Sequence, residues 1–355
     1  MSFITRRKSI ETDADLGGGQ RLRATLGWPH LVAMGVGAIV GTGIYTLTGI
    51  GAGLAGPGVL LSFLLCGVIC GCAALCYAEM ATMIPTSGSA YTYTYTVLGE
   101  LLAWIVGWSL VLEYTVGGAA VLVGWSAHVS EFIQAVGWHV PQQFLVGVQS
   151  GGLVNAPAVL MAGAVTLLLI IGTRESATVN MALVAIKLTA LLLFVFLASQ
   201  RFNLAHFHPF LPFGLLAHVD AGGTNRGVLA AAALIFFAFY GFDAVSTAAE
   251  ETRNPKRDLT IGIMGSMAAC TIIYIAVAAS ALGAASYQEI SSTGAPLVYV
   301  LKILQHPLAA QLVAAAAIIA LPSVVLVMLY GQSRIFYVMA RDGLLPRGLA
   351  VLHKT

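Results

Sequence analysis

Eight stretches of predominantly apolar residues divide the chain, at about 27–50, 57–84, 100–134, 156–173, 177–199, 227–250, 259–284 and 307–340. A helix needs about 20 such residues to cross the hydrocarbon core of a bilayer, and in lipid the helix is one of only two structures that pair every backbone group. The chain therefore reads as an all-α membrane protein with about eight transmembrane helices. A soluble fold is closed to it, because 58% of its 355 residues are hydrophobic and only 9% are charged. Residues 1–25 are polar with no apolar run before Leu26, which predicts an N-terminal tail rather than a cleavable signal.

Basic residues orient the spans. Thirteen, among them Arg6, Arg7, Lys8, Arg253, Lys256, Arg257, Arg334 and Arg341, fall on one side, against Arg201, Arg226 and Lys302 on the other. The positive-inside rule then predicts a multi-pass protein of the cell (inner) membrane with both termini cytoplasmic. Residues 200–225 and 285–306 become external loops, and "PTSGSAYTYTYTVLGE" a cytoplasmic interfacial one. The remaining basic residue, Lys187, stands alone inside "NMALVAIKLTALLLFVF". Cys66, Cys70, Cys72 and Cys76 share one apolar stretch and Cys270 lies in another, a placement that suits helix packing better than disulfides or a metal.

The first span carries "GAIVGTGIYTLTG", with glycine at 37, 41, 43 and 49. Two readings fit this cluster. Small residues let neighbouring helices touch, or the helix unwinds at Gly41 to Gly43 and frees the amides of Thr42, Gly43 and Ile44 on one side and the carbonyls of Ile39 and Val40 on the other. The sixth span decides for a break, because "FFAFYGFDAVSTAAEETRNP" holds a second interruption at Tyr240 to Phe242. Paired interruptions five spans apart mark corresponding positions of two inverted halves and a binding site at the bilayer midplane. Half-helix N-termini favour an anion and C-termini a cation. A zwitterion such as an α-amino acid satisfies both.

Together, "GVGAIVGTGIYTLTG", "YAEMATMIPTSGSAYTYTY", "FFAFYGFDAVSTAAEETRNPKRDL" and "YGQSRIFYVMARDGLLP" resemble the bacterial branch of the cationic amino acid transporter family, in the amino acid/polyamine/organocation superfamily. The match runs from about Leu26 to Pro346. It implies a LeuT-type inverted repeat with helices 1 and 6 broken: a first five-helix repeat over 26–199, an external loop over 200–225 and a partial second repeat of three helices over 226–355. The family pattern continues beyond "RDGLLP", so the resemblance also implies a second repeat that is incomplete here, with further helices supplied elsewhere. By resemblance, the Thr42 and Gly43 amides hold the substrate carboxylate, and the carbonyls of Ile39, Phe237, Ala238 and Tyr240 receive its ammonium. Lys187 would replace the sodium of distant relatives and point at the carbonyls near Gly37 to Val40, and Met328 would shorten the side-chain pocket.

A lysine at mid-span costs about 2.5 to 3.5 kcal/mol on insertion scales, so Lys187 must be partnered or neutral, which makes it the first candidate for proton coupling. Glu113 in "SLVLEYTVGG" is the second; it is either a protonation site or a neutral acid bonded to a neighbouring helix. Asp243, next to the sixth-span break, reads as a cap on the second half-helix, and Glu79, Glu250 and Glu251 as gate or surface charges. The expectation is proton-coupled uptake of small neutral L-amino acids such as alanine, with the proton as coupling ion and no cofactor. No carboxylate stands ready to meet a guanidinium, which weighs against the alternative of a cationic amino acid permease; an amino-acid-binding regulator that does not transport is the other alternative. The substrate and the bilayer are the expected partners, with no nucleic acid. Without an HExxH motif, a Ser/His pair or paired membrane aspartates, nothing points to an enzyme.

Overall fold

The computed structural model describes residues 6–8, 23–135, 138, 140–148, 151–171, 173–220 and 222–351. Of the expected tail 1–25, only residues 6–8 and 23–25 are among them; the rest of that tail lies outside the described residues. The first span opens as α1 (Trp28–Ile39), with Pro29 in its first turn, where a missing amide costs nothing. It stops at Val40, whose ψ of 86° leaves helical geometry. A wide π-type turn (Gly43–Leu47) then leads into α2 (Thr48–Ala55). Thr46 and Thr48 donate their hydroxyls to the Thr42 and Ile44 carbonyls, each at 2.8 Å, so polar side chains satisfy backbone groups along the irregular stretch. Gly56, at φ +62°, ends the span.

The chain continues through α3 (Val59–Met83), α4 (Ser89–Val97), α5 (Glu100–Ala135), α6 (Ala156–Ile171) and α7 (Thr173–Ser199). Between 200 and 226 lies a two-stranded antiparallel hairpin, β1 (His218–Val219) with β2 (Asn225–Arg226). The sixth span is α8 (Val228–Ile235), a 3-10 turn (Phe236–Phe239), a break at Tyr240 and Gly241, and a second 3-10 segment (Phe242–Glu251). Then come α9 (Pro255–Ala284), the short α10 (Tyr287–Ser291) and α11 (Pro296–Ile303), and the eighth span as α12 (Pro307–Ala320) and α13 (Pro322–Arg341).

Six helical runs among the described residues are long and apolar enough to cross a membrane. One of them, Gly43–Met83, contains the Gly56–Gly58 turn, so it holds the last third of the first expected span and nearly all of the second. With the shorter apolar helices α1 and α6, all eight expected stretches are helical. Boundaries move where polar first turns prove helical: α9 begins at Pro255 rather than 259, with Asp258 in its first turn, where a carboxylate meets the positive end of the helix.

In the bundle α9 lies along α3 and α1, α13 packs on α5, and α7 on α1. Both readings of the first-span glycines hold, at different positions. Gly35 and Gly37 are packing sites: a Cβ on Gly35 would collide with the Ser266 hydroxyl, and one on Gly37 would lie 2.7 Å from Asn180 Oδ1. Gly41 and Gly43 sit at the break itself.

One end of the bundle gathers ion pairs. Arg341 makes a bidentate pair with Glu250, at 3.1 and 2.8 Å, and Arg334 Nε pairs with Glu251. Lys8 Nζ donates to Asp342 at 2.8 Å, and Tyr91 donates to the same carboxylate at 2.9 Å. Backbone bonds from Leu26 to Glu251 and from Arg253 to Leu26 tie the start of the first span to the end of the sixth. We call this the basic end.

Candidate functional site

The two breaks face each other across a cavity of about 300 Å³. The first contributes Ile39, Thr42 and Gly43, the sixth span Phe237, Ala238 and Tyr240, and α13 contributes Met328. All seven residues expected to meet substrate therefore line one space. The break in the sixth span is possible because Gly241 adopts φ +100°, a left-handed conformation that costs an L side chain dearly. A Cβ there would also lie 2.7 Å from Met328 Cε and 3.0 Å from Ala38 Cβ. Gly43 is equally confined, its missing Cβ being 2.7 Å from that of Ala238.

The remaining lining includes Gly117 and Val121 on α5 and Val324 on α13, which sequence reading did not single out. Gly117 makes room for a neighbour, since a Cβ would come within 2.8 Å of Tyr240 Cε1. The side chains of the cavity are thus mostly apolar, aliphatic with two aromatic rings and one thioether, and no carboxylate is among its lining residues. Phe237, 45% exposed and stacked on Tyr240, is the one exposed lining residue.

Tyr274 on α9 was missed as well. Its buried hydroxyl lies 2.7 Å from the Ile39 carbonyl and 3.0 Å from that of Ala238, bridging the two breaks. The Ile39 oxygen also accepts from the Gly41 amide at 2.9 Å, so both of its lone pairs are engaged. The signal was present in "TIIYIAV": a tyrosine buried in an apolar helix needs an acceptor for its hydroxyl.

Lys187 is 1% exposed and saturated. Its three N–H bonds go to the Gly37 carbonyl at 2.8 Å, the Val40 carbonyl at 2.7 Å and Ser323 Oγ at 2.9 Å. The carbonyls are those released where α1 ends, so the ammonium ties α7, the first break and α13 together. Glu113 is half-buried on α5 and faces Tyr240 and Asp243. Asp243 accepts from the Tyr114 hydroxyl at 2.6 Å; it stands in the first turn of the second half-helix, whose cap is Gly241 with no side-chain cap bond, so the capping role read from the sequence is not what it does. Cys66 donates its thiol to the Ala232 carbonyl at 3.2 Å, a packing contact. Among the described residues no group of His, Cys, Asp and Glu could hold a metal ion.

The profile of the family described as amino acid permease matches residues 30–355. A branched-chain amino acid permease (BcaP) of Bacillus subtilis (strain 168) is 42% identical over 355 residues, covering 99% of this chain and 74% of that protein. The methylthioribose transporter of the same organism is 37% identical over 356 residues, covering 99% and 75%. The vacuolar cationic amino acid transporter 2 of Arabidopsis thaliana is 37% identical over 362 residues, covering 99% of this chain and 55% of its own length. A solved Na+-coupled sialic acid symporter in a substrate-bound outward-open state aligns with a TM-score of 0.60 over 91% of this chain and 67% of its own, at 12% identity, a likeness of fold.

Proposed function

The chain belongs to the amino acid permease family of the amino acid/polyamine/organocation superfamily, and on that premise we propose that it is a proton-coupled importer of small neutral L-amino acids such as alanine. The observation that carries this reading is the cavity between the two breaks, where main-chain groups of the broken helices meet mostly apolar side chains and no carboxylate. The carboxylate of the substrate binds at the Thr42 and Gly43 amides. Its ammonium takes the carbonyls of the sixth-span break, with the Tyr274 hydroxyl yielding or sharing the Ile39 and Ala238 oxygens. Met328 and Val324 bound the side-chain end. The basic end is cytoplasmic, and substrate arrives past Phe237 from the other side.

Lys187 couples the proton. Protonated, it ties α7 to the first break and holds the site closed toward the cytoplasm; deprotonated, it releases that tie. A proton that favours one of two conformations and a substrate that binds the same one are linked by necessity. A second reading, in which the cargo is branched-chain, draws on the name of the 42% identical relative and on the aliphatic Val121 and Val324.

Calorimetric titration tests the site. L-alanine should bind the intact chain, and Gly43→Val, whose side chain would stand against Ala238, should weaken it at least tenfold while the protein stays monodisperse. Unchanged affinity in Gly43→Val overturns the assignment, and leucine displacing alanine with higher affinity selects the branched-chain reading.

A further inference from the structure

The eighth span is divided where its own sequence removes a hydrogen bond. Pro322 opens α13 and has no amide, so the carbonyl four residues earlier, that of Ile318 on α12, loses the donor a continuous helix would supply. Leu321 falls between the two helices, and its carbonyl accepts from the Val324 amide, only three residues on, at 3.0 Å. In lipid a freed carbonyl has to find its donor on a neighbouring element. The indole of Trp125 on α5 supplies it: Nε1 donates to the Ile318 oxygen at 2.6 Å, across 193 residues of sequence.

The donor stands next to the substrate cavity. Gly117, Val121 and Trp125 follow one another at four-residue spacing along one face of α5, and the first two line the cavity. Trp125 is therefore one turn beyond the cavity wall, on the side away from the basic end, where α5 begins with Glu100 paired to Arg6. Its neighbour Gly124 borders the first break, since a Cβ there would lie 3.4 Å from Thr42 Cγ2.

The residues just past Pro322 are those α13 lends to the site. Ser323 Oγ accepts from Lys187 at 2.9 Å, and Val324 and Met328 line the cavity. Val324 is close against the first break, its Cγ2 lying 3.1 Å from where a Cβ on Gly41 would stand. The side-chain end of the cavity thus has two walls, Val121 on α5 and Val324 with Met328 on α13, and a clasp joins the two helices on either side of it. Toward the basic end Gln332 Nε2 donates to Thr115 Oγ1 at 2.8 Å, an exposed bond between two side chains. At the other end the clasp is Trp125 on the Ile318 carbonyl, a backbone acceptor that the proline leaves open.

We propose, on the reading of that cavity as the amino acid site, that Trp125 is a positioning residue for substrate selection: its indole stands in for the amide Pro322 lacks and thereby holds the Val324 and Met328 wall at a fixed distance from Val121. A pocket that prefers small side chains does so by exclusion, so its far wall has to be kept close. Without the indole N–H the Ile318 carbonyl is unpaired in an apolar setting, a state unfavourable enough for the joint between α12 and α13 to shift toward another donor. The wall moves with the joint. Trp125 touches no substrate in this scheme and acts through α13 alone, so phenylalanine, which keeps an aromatic ring but gives no donor, isolates its role.

Calorimetric titration of the purified chain with L-alanine and L-leucine reads the position of the wall as the ratio of the two dissociation constants. Trp125→Phe should move that ratio toward leucine by about tenfold, the order that one methylene commands in an apolar pocket, and should lower the unfolding temperature. Pro322→Ala restores an amide four residues after Ile318, and a carbonyl can accept from amide and indole together, so by itself it should keep the ratio within twofold of wild type. Combining the two substitutions pairs the carbonyl inside the helix without the indole: the unfolding temperature should largely recover while the ratio stays shifted. A ratio within twofold of wild type in Trp125→Phe overturns the proposal. So does a double variant whose ratio matches that of Pro322→Ala alone, because the indole would then only satisfy a carbonyl; this comparison also decides the matter if Trp125→Phe by itself does not fold. Failure of the underlying reading is distinct: neither amino acid binds the wild-type chain, or Gly43→Val binds both unchanged, and the positioning role falls with it.

Discussion

Gly241 and Met328 are coupled through a single missing carbon. At φ +100° an alanine is strained whatever the surrounding space, and its Cβ would also press on Met328 Cε and Ala38 Cβ. The two costs differ in remedy, because trimming Met328 relieves the collision and leaves the backbone strain. Gly241→Ala should lower stability by about 2 to 4 kcal/mol, and adding Met328→Ala should recover only part of that, leaving about 1 to 3 kcal/mol of strain. Thermal unfolding of the single and double variants in detergent measures both, and full recovery in the double variant would show that the left-handed conformation is not what the glycine supplies.

At the scale of elements, ion pairs join helices at one end of the bundle and a hairpin lies in the loop before the sixth span. Glu250 takes two bonds from Arg341 and one from the Ser87 amide, so it joins the sixth span, α13 and the segment before α4. Removing its charge together with Arg334→Gln should shift the population toward a state open at the basic end. A Thr42→Cys reporter should then react several-fold faster with a membrane-impermeant thiol reagent added on that side; no change means that the pairs only decorate a surface. In the hairpin, Asp220 accepts amides from Thr224 and Gly222, each at 2.9 Å, and pairs with Arg226. The Thr224 amide above all, with Arg226 and Gly222 adding to it, holds its carboxyl below the usual carboxylate range. A depressed folded value means that the stabilisation is complete above the ordinary aspartate range of about 3.9 and is lost as pH falls through the lower folded value. Amide exchange at Thr224 should therefore be as protected at pH 5 as at pH 7, and should rise below the ordinary range. Asp220→Asn should exchange fast throughout.

At the scale of the whole molecule, a ligand that binds only the folded chain stabilises it by about 2.7 kcal/mol at a hundredfold excess over its dissociation constant. Alanine should accordingly raise the unfolding temperature and lysine should not, and Met328→Ser should extend the effect to bulkier side chains; a lysine shift as large as that of alanine would overturn the neutral-substrate reading. Much of this architecture was legible beforehand, because hydropathy reports the spans and glycine marks the breaks. What stayed hidden was set by partners distant in sequence. The alternating Thr and Tyr of "SAYTYTYTV" have strand chemistry, yet the segment is the helix α4, whose Tyr91, Tyr93 and Tyr95 are buried by tertiary contacts. The capping box of Ser286 and Glu289 could have announced α10, since it is written in four consecutive residues. Tyr274 could be noticed as unusual but not assigned, because its two acceptors lie 235 and 36 residues away. The polar groups at the breaks belong to the main chain, and that fact reaches into heredity. A codon change replaces a side chain and leaves its carbonyl in place, so under the proposed reading a grip made by main-chain groups would outlast substitutions, while changes at Val121, Val324 and Met328 would reshape the side-chain end of the cavity. A lineage built on this scaffold can change its diet one mutation at a time without first losing its appetite.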